Sequence, residues 1–287
     1  MKKYQKAICL PVIVVLSVIV LIGCPVMIRV AKVNNAKQMI EAIETRDYNT
    51  LHTLCNKPLS DIDCASEYSV LLSTICEIHA YTPLETAIHC NVVTAVQILL
   101  DAGADPNKNG QLKISTNQLY PLEHGIAVGN PQIVEQLILH GADVNQSAQD
   151  GLDKMIRFSV RKESVSIEEF TEILDLLEAQ GATISYNDLL FSAAIAADAE
   201  VMAYLVQQKQ ADIHATDSQG RTVLHLCIIC GMVDPKEKPE TVLFCLEQGV
   251  DVHALDAQSK TAHDYAVERG YDELSALIKS AESQPGE

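Results

Sequence analysis

Apolar residues recur at helical spacing in blocks that end on the same three-residue phrase. Val92, Val96 and Leu99 lie three or four apart and run into Gly103-Ala104-Asp105. Ile133, Val134, Leu137 and Ile138 run into Gly141-Ala142-Asp143 in the same way. Each stripe predicts an amphipathic helix of about three turns. Each glycine suits the left-handed residue that closes a helix. Weaker copies stand at Gly181-Ala182-Thr183, Gln210-Ala211-Asp212 and Gly249-Val250-Asp251, and the successive intervals are 38, 40, 29 and 39 residues. Recurrence at this period predicts a stack of small units that bury their apolar faces against one another, in place of one closed core.

A second signature precedes each phrase: Thr82-Pro83-Leu84 in one unit and Tyr120-Pro121-Leu122 in the next. Proline in the first helical turn is harmless, because that N–H has no intrahelical partner. Each unit therefore reads as a proline-started helix, a turn, a second amphipathic helix and a glycine stop.

These features resemble the ankyrin repeat. The segment Asp217-Ser218-Gln219-Gly220-Arg221-Thr222-Val223-Leu224-His225-Leu226 is similar to that family's finger and Thr-Pro-Leu-His start, and Val134 to Asn145 to its second helix and close. Lys260-Thr261-Ala262-His263-Asp264-Tyr265-Ala266 looks like a degraded last unit. The resemblance implies an all-α ankyrin solenoid of helix-turn-helix units with short β-hairpin fingers. It covers about six units, caps included, over residues 36–281. Residues 1–23 then form a signal peptide or anchor helix, 24–35 a linker and 282–287 a flexible tail. Departures are expected at 56–80, where material is inserted, in the third unit, which lacks the Thr-Pro-Leu start and gains a charged stretch from Arg157 to Glu169, and at Met232–Glu240, which lengthens a helix-helix turn.

The N-terminus changes the picture. Ala7 to Ile28 is 22 residues without a charge, preceded by Lys2, Lys3 and Lys6. That is the layout of an export signal. Leu21-Ile22-Gly23-Cys24 resembles the lipobox of bacterial lipoproteins, which implies cleavage before Cys24 and lipidation of its thiol. An uncleaved spanning helix is the competing reading, since the run is long enough to cross a bilayer and continues past Cys24; a released protein is the third. For a bacterial chain, the first two place the repeats in the cell envelope, membrane-anchored and facing the periplasm.

Net charge is -17, and loss of Lys2, Lys3 and Lys6 with the signal takes it to -20. Nucleic acid is a poor partner for such a chain, because phosphate binding needs a basic face. A basic protein is a better one. The chain has no Trp and 5% aromatic residues, which argues against an aromatic-lined ligand pocket.

Nine cysteines raise the question of disulfides. Cys55, Cys64, Cys76 and Cys90 cluster early and are candidate disulfide partners for an oxidising compartment, as Cys55–Cys64 or Cys76–Cys90. Cys227, Cys230 and Cys245 cluster late. Cys227-Ile228-Ile229-Cys230 falls late in a first helix, whereas redox chemistry needs the first cysteine at a helix start. By the resemblance, Cys227 stands where the family prefers Ala and Cys245 where it prefers Leu, which makes them small core residues. The alternative is a thiol or metal protein using these three. The nine histidines show no zinc spacing, and the resemblance gives His225 a structural bond to backbone between units. Gly125-Ile126-Ala127-Val128-Gly129 lacks the lysine of a phosphate loop. No nucleophile–base pair is set up, so neither an enzyme nor a cofactor is expected.

The family binds partners on finger tips and on the exposed faces of first helices. Carried over by resemblance, the partner-binding residues are Lys108, Asn109, Asn145, Gln146, Asp150, Asp217, Gln219, Arg221, Asp256 and Lys260, with Glu85, His89, Glu123 and His124 on first helices. Envelope-anchored proteins of this type resemble immunity partners that occlude a secreted antibacterial effector; a scaffold for a periplasmic enzyme is the alternative. A eukaryotic or viral membrane protein with cytosolic repeats also stays open.

Overall fold

Thr82 shows how a unit begins. Its side chain accepts the Glu85 N–H at 3.2 Å, while the Glu85 carboxylate accepts the Thr82 N–H at 2.7 Å. Two otherwise orphaned donors are thus satisfied reciprocally, and Pro83 follows in the first turn. The close is equally local. Gly103, at φ +91°, donates to Leu100 O at 2.9 Å, and Ala104 donates to Leu99 O at 3.0 Å. Gly141 repeats this with Ile138 O, and Ala142 with Leu137 O. Two backward bonds across a left-handed residue are the helix stop expected of these glycines.

The computed structural model describes residues 34–56, 66–68, 79–108, 120–162, 166–229 and 239–282. The signal or anchor at 1–23, Cys24, Asn109, Cys64, Cys76, Cys230 and the tail beyond 282 lie outside the described residues. Among the described residues no helix is long and apolar enough to cross a membrane. Contacts divide the chain into residues 1–124 with 136–142, and residues 125–135 with 143–287.

The first unit opens with α1 (residues 34–44), so Asn34 and Asn35 are helical and not linker. Met39, Ile40 and Ile43 are its fully buried face. α2 (Tyr48–Cys55) starts where the Asp47 carboxylate accepts the Thr50 N–H, and it packs on α4. Within the expected insertion a two-stranded antiparallel ribbon forms, β1 (Ser66–Tyr68) on β2 (His79–Tyr81), with Glu67 opposite Ala80. α3 (Pro83–His89) and α4 (Val93–Asp101) complete a regular pair, burying Leu84, Ile88, Val96 and Leu99. The division between the units runs through α5 (Pro121–Val128) and α6 (Pro131–Leu139).

The second unit contains α7 (Val144–Lys162), α8 (Ile167–Ala179), α9 (Tyr186–Ala196), α10 (Ala199–Lys209), α11 (Val223–Ile229), α12 (Glu240–Glu247), α13 (Ala262–Glu268) and α14 (Asp272–Glu282). First helices pack in series, α7 on α9, α9 on α11 and α11 on α13, while α10, α12 and α14 form a second row behind them. The charged stretch from Arg157 to Glu169 is mostly helix: α7 runs through Lys162, and Ser166 with Glu169 builds a capping box that starts α8. The described residues thus hold seven helix pairs, where about six were expected. The 29-residue interval from Gly181 to Gln210 contains a full pair, α9 and α10, capped by Ser185 and Asp198 and closed by Gln210 at φ +56°.

Candidate interaction surface

The fingers are built by aspartates. Asp217 Oδ1 accepts the Gln219 N–H at 2.8 Å and the Arg221 N–H at 3.0 Å, and its Oδ2 lies 2.6 Å from Arg221 Nη2. Asp217 N–H donates to Arg221 O, and Thr216 bridges Thr222 in antiparallel fashion. The next finger repeats the design. Asp256 Oδ1 accepts from Gln258 N at 2.8 Å and Lys260 N at 3.1 Å, and the Tyr265 hydroxyl donates to Oδ2 at 2.6 Å. Burial alone would raise the Asp256 carboxyl. The Tyr265 hydroxyl and the two backbone donors outweigh it and hold that carboxyl below its ordinary value. In Asp217 burial is likewise outweighed, there by the Arg221 side chain and backbone.

Asp256 is therefore a correction to the expected finger-tip contacts. It is 7% exposed, with both oxygens engaged inside the protein. Asn145, Gln146 and Asp150 are also placed differently: they lie on the first turns of α7, not on a finger. The reason is the Asp143 carboxylate, which accepts from Asn145 N and Gln146 N and so starts a helix where the finger was expected.

Polar side chains stitch neighbouring repeats. Asn107 Nδ2 donates to Gly141 O at 2.9 Å within the first unit. In the second unit Asn145 Oδ1 accepts the Thr183 N–H at 3.0 Å, Gln149 Oε1 the Ser185 N–H at 2.8 Å, and Asn187 Oδ1 the Asp212 N–H at 2.8 Å. Gln219 contributes its carbonyl, which accepts from Ala257 N at 2.8 Å. Gly220 sits beside this joint at φ +71°; a Cβ there would lie 3.6 Å from Ala257 N. Backbone donors that an isolated unit would leave to water thus find partners in the next.

Three of the first-helix candidates face inward. Glu85, Glu123 and His124 are buried, and only His89 of that group is exposed. Glu85 and Glu123 turn back to accept the N–H of Thr82 and Tyr120. His225 and Asp264 occupy the same register in their helices. Asp264 accepts the Thr261 N–H at 2.9 Å. His225 Nδ1 accepts the Thr222 N–H at 3.2 Å, which leaves Nε2–H to donate to Lys260 O at 3.1 Å. The structural bond that the resemblance implies for His225 is thus present.

Lys108, Gln146, Asp150 and Gln219 are exposed, whereas Arg221 and Lys260 are half-buried. Lys260 Nζ lies 2.6 and 2.7 Å from the Glu268 oxygens and 5.1 Å above the Tyr265 ring, so it is held in place. Sequence reasoning missed the apolar members. Leu255, on the last finger, is 60% exposed, and Val267, on α13, is 56% exposed. The signal was readable: both are large apolar residues at positions outside the buried helical stripe.

No chemistry is assembled nearby. Among the described residues no three His, Cys, Asp or Glu side chains converge as a metal would require. A hollow beside Met155, Ser166, Phe170 and Val201 measures about 30 Å³, room for one water. Cys90, Cys227 and Cys245 are free thiols. Burial raises the Cys55 thiol, and burial with the Glu44 charge raises Cys90.

Residues 190–236 match the family described as ankyrin repeats (many copies). The chain is 24% identical to the chicken nuclear factor NF-kappa-B p105 subunit over 219 residues, which is 70% of this chain but 20% of that protein. It is 28% identical to the fowlpox virus putative ankyrin repeat protein FPV230 over 173 residues, 59% of this chain and 83% of that one. Among solved structures, the human ASB11 ankyrin repeat domain superposes with a TM-score of 0.60 over 86% of this chain and 99% of its own, at 16% identity. The ankyrin repeat domain of Bcl-3, a member of the IkappaB protein family, gives 0.54 over 84% and 97%, also at 16% identity. Proline-started helix pairs, left-handed glycine stops and aspartate-built fingers, together with these matches, give the chain the ankyrin-repeat fold, with residues 190–236 matching the ankyrin-repeat family model itself.

Proposed function

We propose that this chain binds a protein partner through its last finger and first helices while its N-terminal segment holds it at a membrane. The observation that carries the reading is the state of the last repeat. Asp256, Tyr265, Lys260 and Glu268 are locked to one another, so Leu255 and Val267 are presented on a rigid frame. Exposed apolar side chains on pre-organised backbone are what interface anchors require, because little entropy is then lost on binding. The acidic balance of the chain favours a basic partner.

The test is capture of partners by the full chain in detergent, followed by Leu255→Asp and Val267→Asp variants with unchanged circular dichroism. Loss of at least about tenfold in affinity supports the reading. Undiminished capture by both variants refutes this surface.

The apolar run before Arg29 supports the membrane tether, and the Leu-Ile-Gly-Cys phrase supports lipidation at Cys24. Occlusion of a secreted antibacterial effector and support of a periplasmic enzyme are the two forms this takes in a bacterial envelope. The chicken and fowlpox relatives favour instead a eukaryotic or viral protein with repeats facing the cytosol. Palmitate labelling, with protease protection in intact cells, separates these arrangements.

A further inference from the structure

Two departures from the usual repeat composition meet at one contact. Cys227, in α11, holds the place that Ala87 holds in α3 and Ala266 in α13, five residues after the threonine that starts each helix. Cys245, in α12, holds the place of Leu99 and Leu137, four residues before the closing glycine. One substitution adds volume and the other removes it, so they compensate where the helices touch and leave sulfur facing sulfur. The two Sγ atoms are 3.9 Å apart, both side chains are buried and both thiols are free.

We propose that Cys227 and Cys245 are a redox-active pair that closes to a disulfide, tying α11 to α12 within one repeat, when the protein meets a peroxide. One thiolate attacks a peroxide oxygen and breaks the O–O bond; the sulfur becomes a sulfenic acid, and the departing hydroxide takes the thiol proton and leaves as water. The second sulfur attacks the sulfenic sulfur, the S–S bond forms, the S–O bond breaks, and a second water leaves. Two thiols lose two electrons, and one peroxide is reduced to two waters. The sulfurs close from 3.9 Å to about 2.05 Å. This pairing differs from the Cys-x-x-Cys that the sequence offers, since it crosses between the two helices of a repeat.

The hydrogen bond with Cys227, together with burial, pushes the Cys245 thiol well up, so it stays protonated at neutral pH. Oxidation is slow in the closed repeat and proceeds on local opening. Once formed, the bond restricts the unfolded chain and stabilises the repeat.

The test uses the full chain, purified in detergent under reductant and then split. One half is treated with hydrogen peroxide, and both are alkylated, digested and weighed. The expected product is a linked peptide pair carrying Cys227 and Cys245, lighter by two hydrogens than the separate peptides. The oxidised protein should melt about 5 °C higher, a shift reversed by reductant and absent in Cys227→Ala. That variant is suited to the test because alanine fills the same place at Ala87 and Ala266; Cys245→Leu is the matching second variant. Recovery of Cys227 joined to Cys230, or of both thiols still alkylatable after the exposed Cys90 is oxidised, overturns the proposal. The assay needs neither partner nor membrane, so its outcome is independent of the binding role.

Discussion

Asp217 and Asp256 do the same thing 39 residues apart: one carboxylate gathers the donors of a finger that has no other way to pair them. Their folded carboxyls sit below the ordinary value of 3.8. A depressed folded pKa contributes stability that is full above the unfolded value and is lost as pH falls through the folded one. The acid limb of unfolding should therefore begin below about pH 4. Asp256→Asn should lower stability at pH 7 by about 1–2 kcal/mol, because three part-buried donors lose a charged acceptor. The same variant should lose less than the parent between pH 4 and pH 2. Urea midpoints at both ends of that range check the prediction; equal losses would remove Asp256 from this role. Tyr265, whose hydroxyl donates to Asp256, is pushed up to about 12 mainly by that bond. Its contribution is complete below pH 10 and is lost as pH rises toward 12, so Tyr265→Phe should flatten the alkaline limb of the same curve.

The helices need glycine at Gly141 and Gly151 for two distinct reasons. Gly141 is at φ +89° with open space around it, so Gly141→Ala meets only the backbone penalty, about 1–2 kcal/mol. Gly151 is buried within α7, and a Cβ there would come 2.9 Å from Ile126 Cβ, an atom close to backbone that cannot swing away. Gly151→Ala gains about 1 kcal/mol of helix propensity. The clash forces repacking that costs about 1–3 kcal/mol, so the substitution should still destabilise. Thermal melts of the two variants test this; a more stable Gly151→Ala would mean that the contact relaxes freely. Between elements, the stitches are countable. Asn187→Ala removes one inter-repeat bond and should cost about 1 kcal/mol, read as a lower melting temperature with unchanged helicity.

At the scale of the whole chain, charge governs association more than folding. An acidic array that recruits a basic partner should lose affinity steeply as salt rises, since exposed charges beyond about 8 Å are screened at physiological ionic strength. A titration from 50 to 500 mM salt, in which association slows while dissociation changes little, would show steering. Salt-independent binding would place the affinity in Leu255, Val267 and their neighbours alone.

Repeat period, helix starts and helix stops were readable because each is local. Thr82-Pro83, Gly103 and Gly141 act within a few residues of themselves, through bonds the backbone must make wherever the unit is placed. The 29-residue unit and the continuity of α7 were harder. The helices that follow α7 start on Ser166, Ser185 and Asp198, single polar residues that look like loop until a helix is seen to follow. By itself, then, the chain determined its class of architecture, the start of several first helices and the stop of several second ones. Only tertiary structure decided which polar groups remain for a partner. Asp256, Glu85 and Glu123 look like surface in sequence, but their oxygens are claimed by donors inside the fold, while Leu255 and Val267 are apolar and are left outside. The physical reason is that exposure depends on the neighbouring repeat, and a linear pattern says what a side chain prefers without saying which donors will reach it.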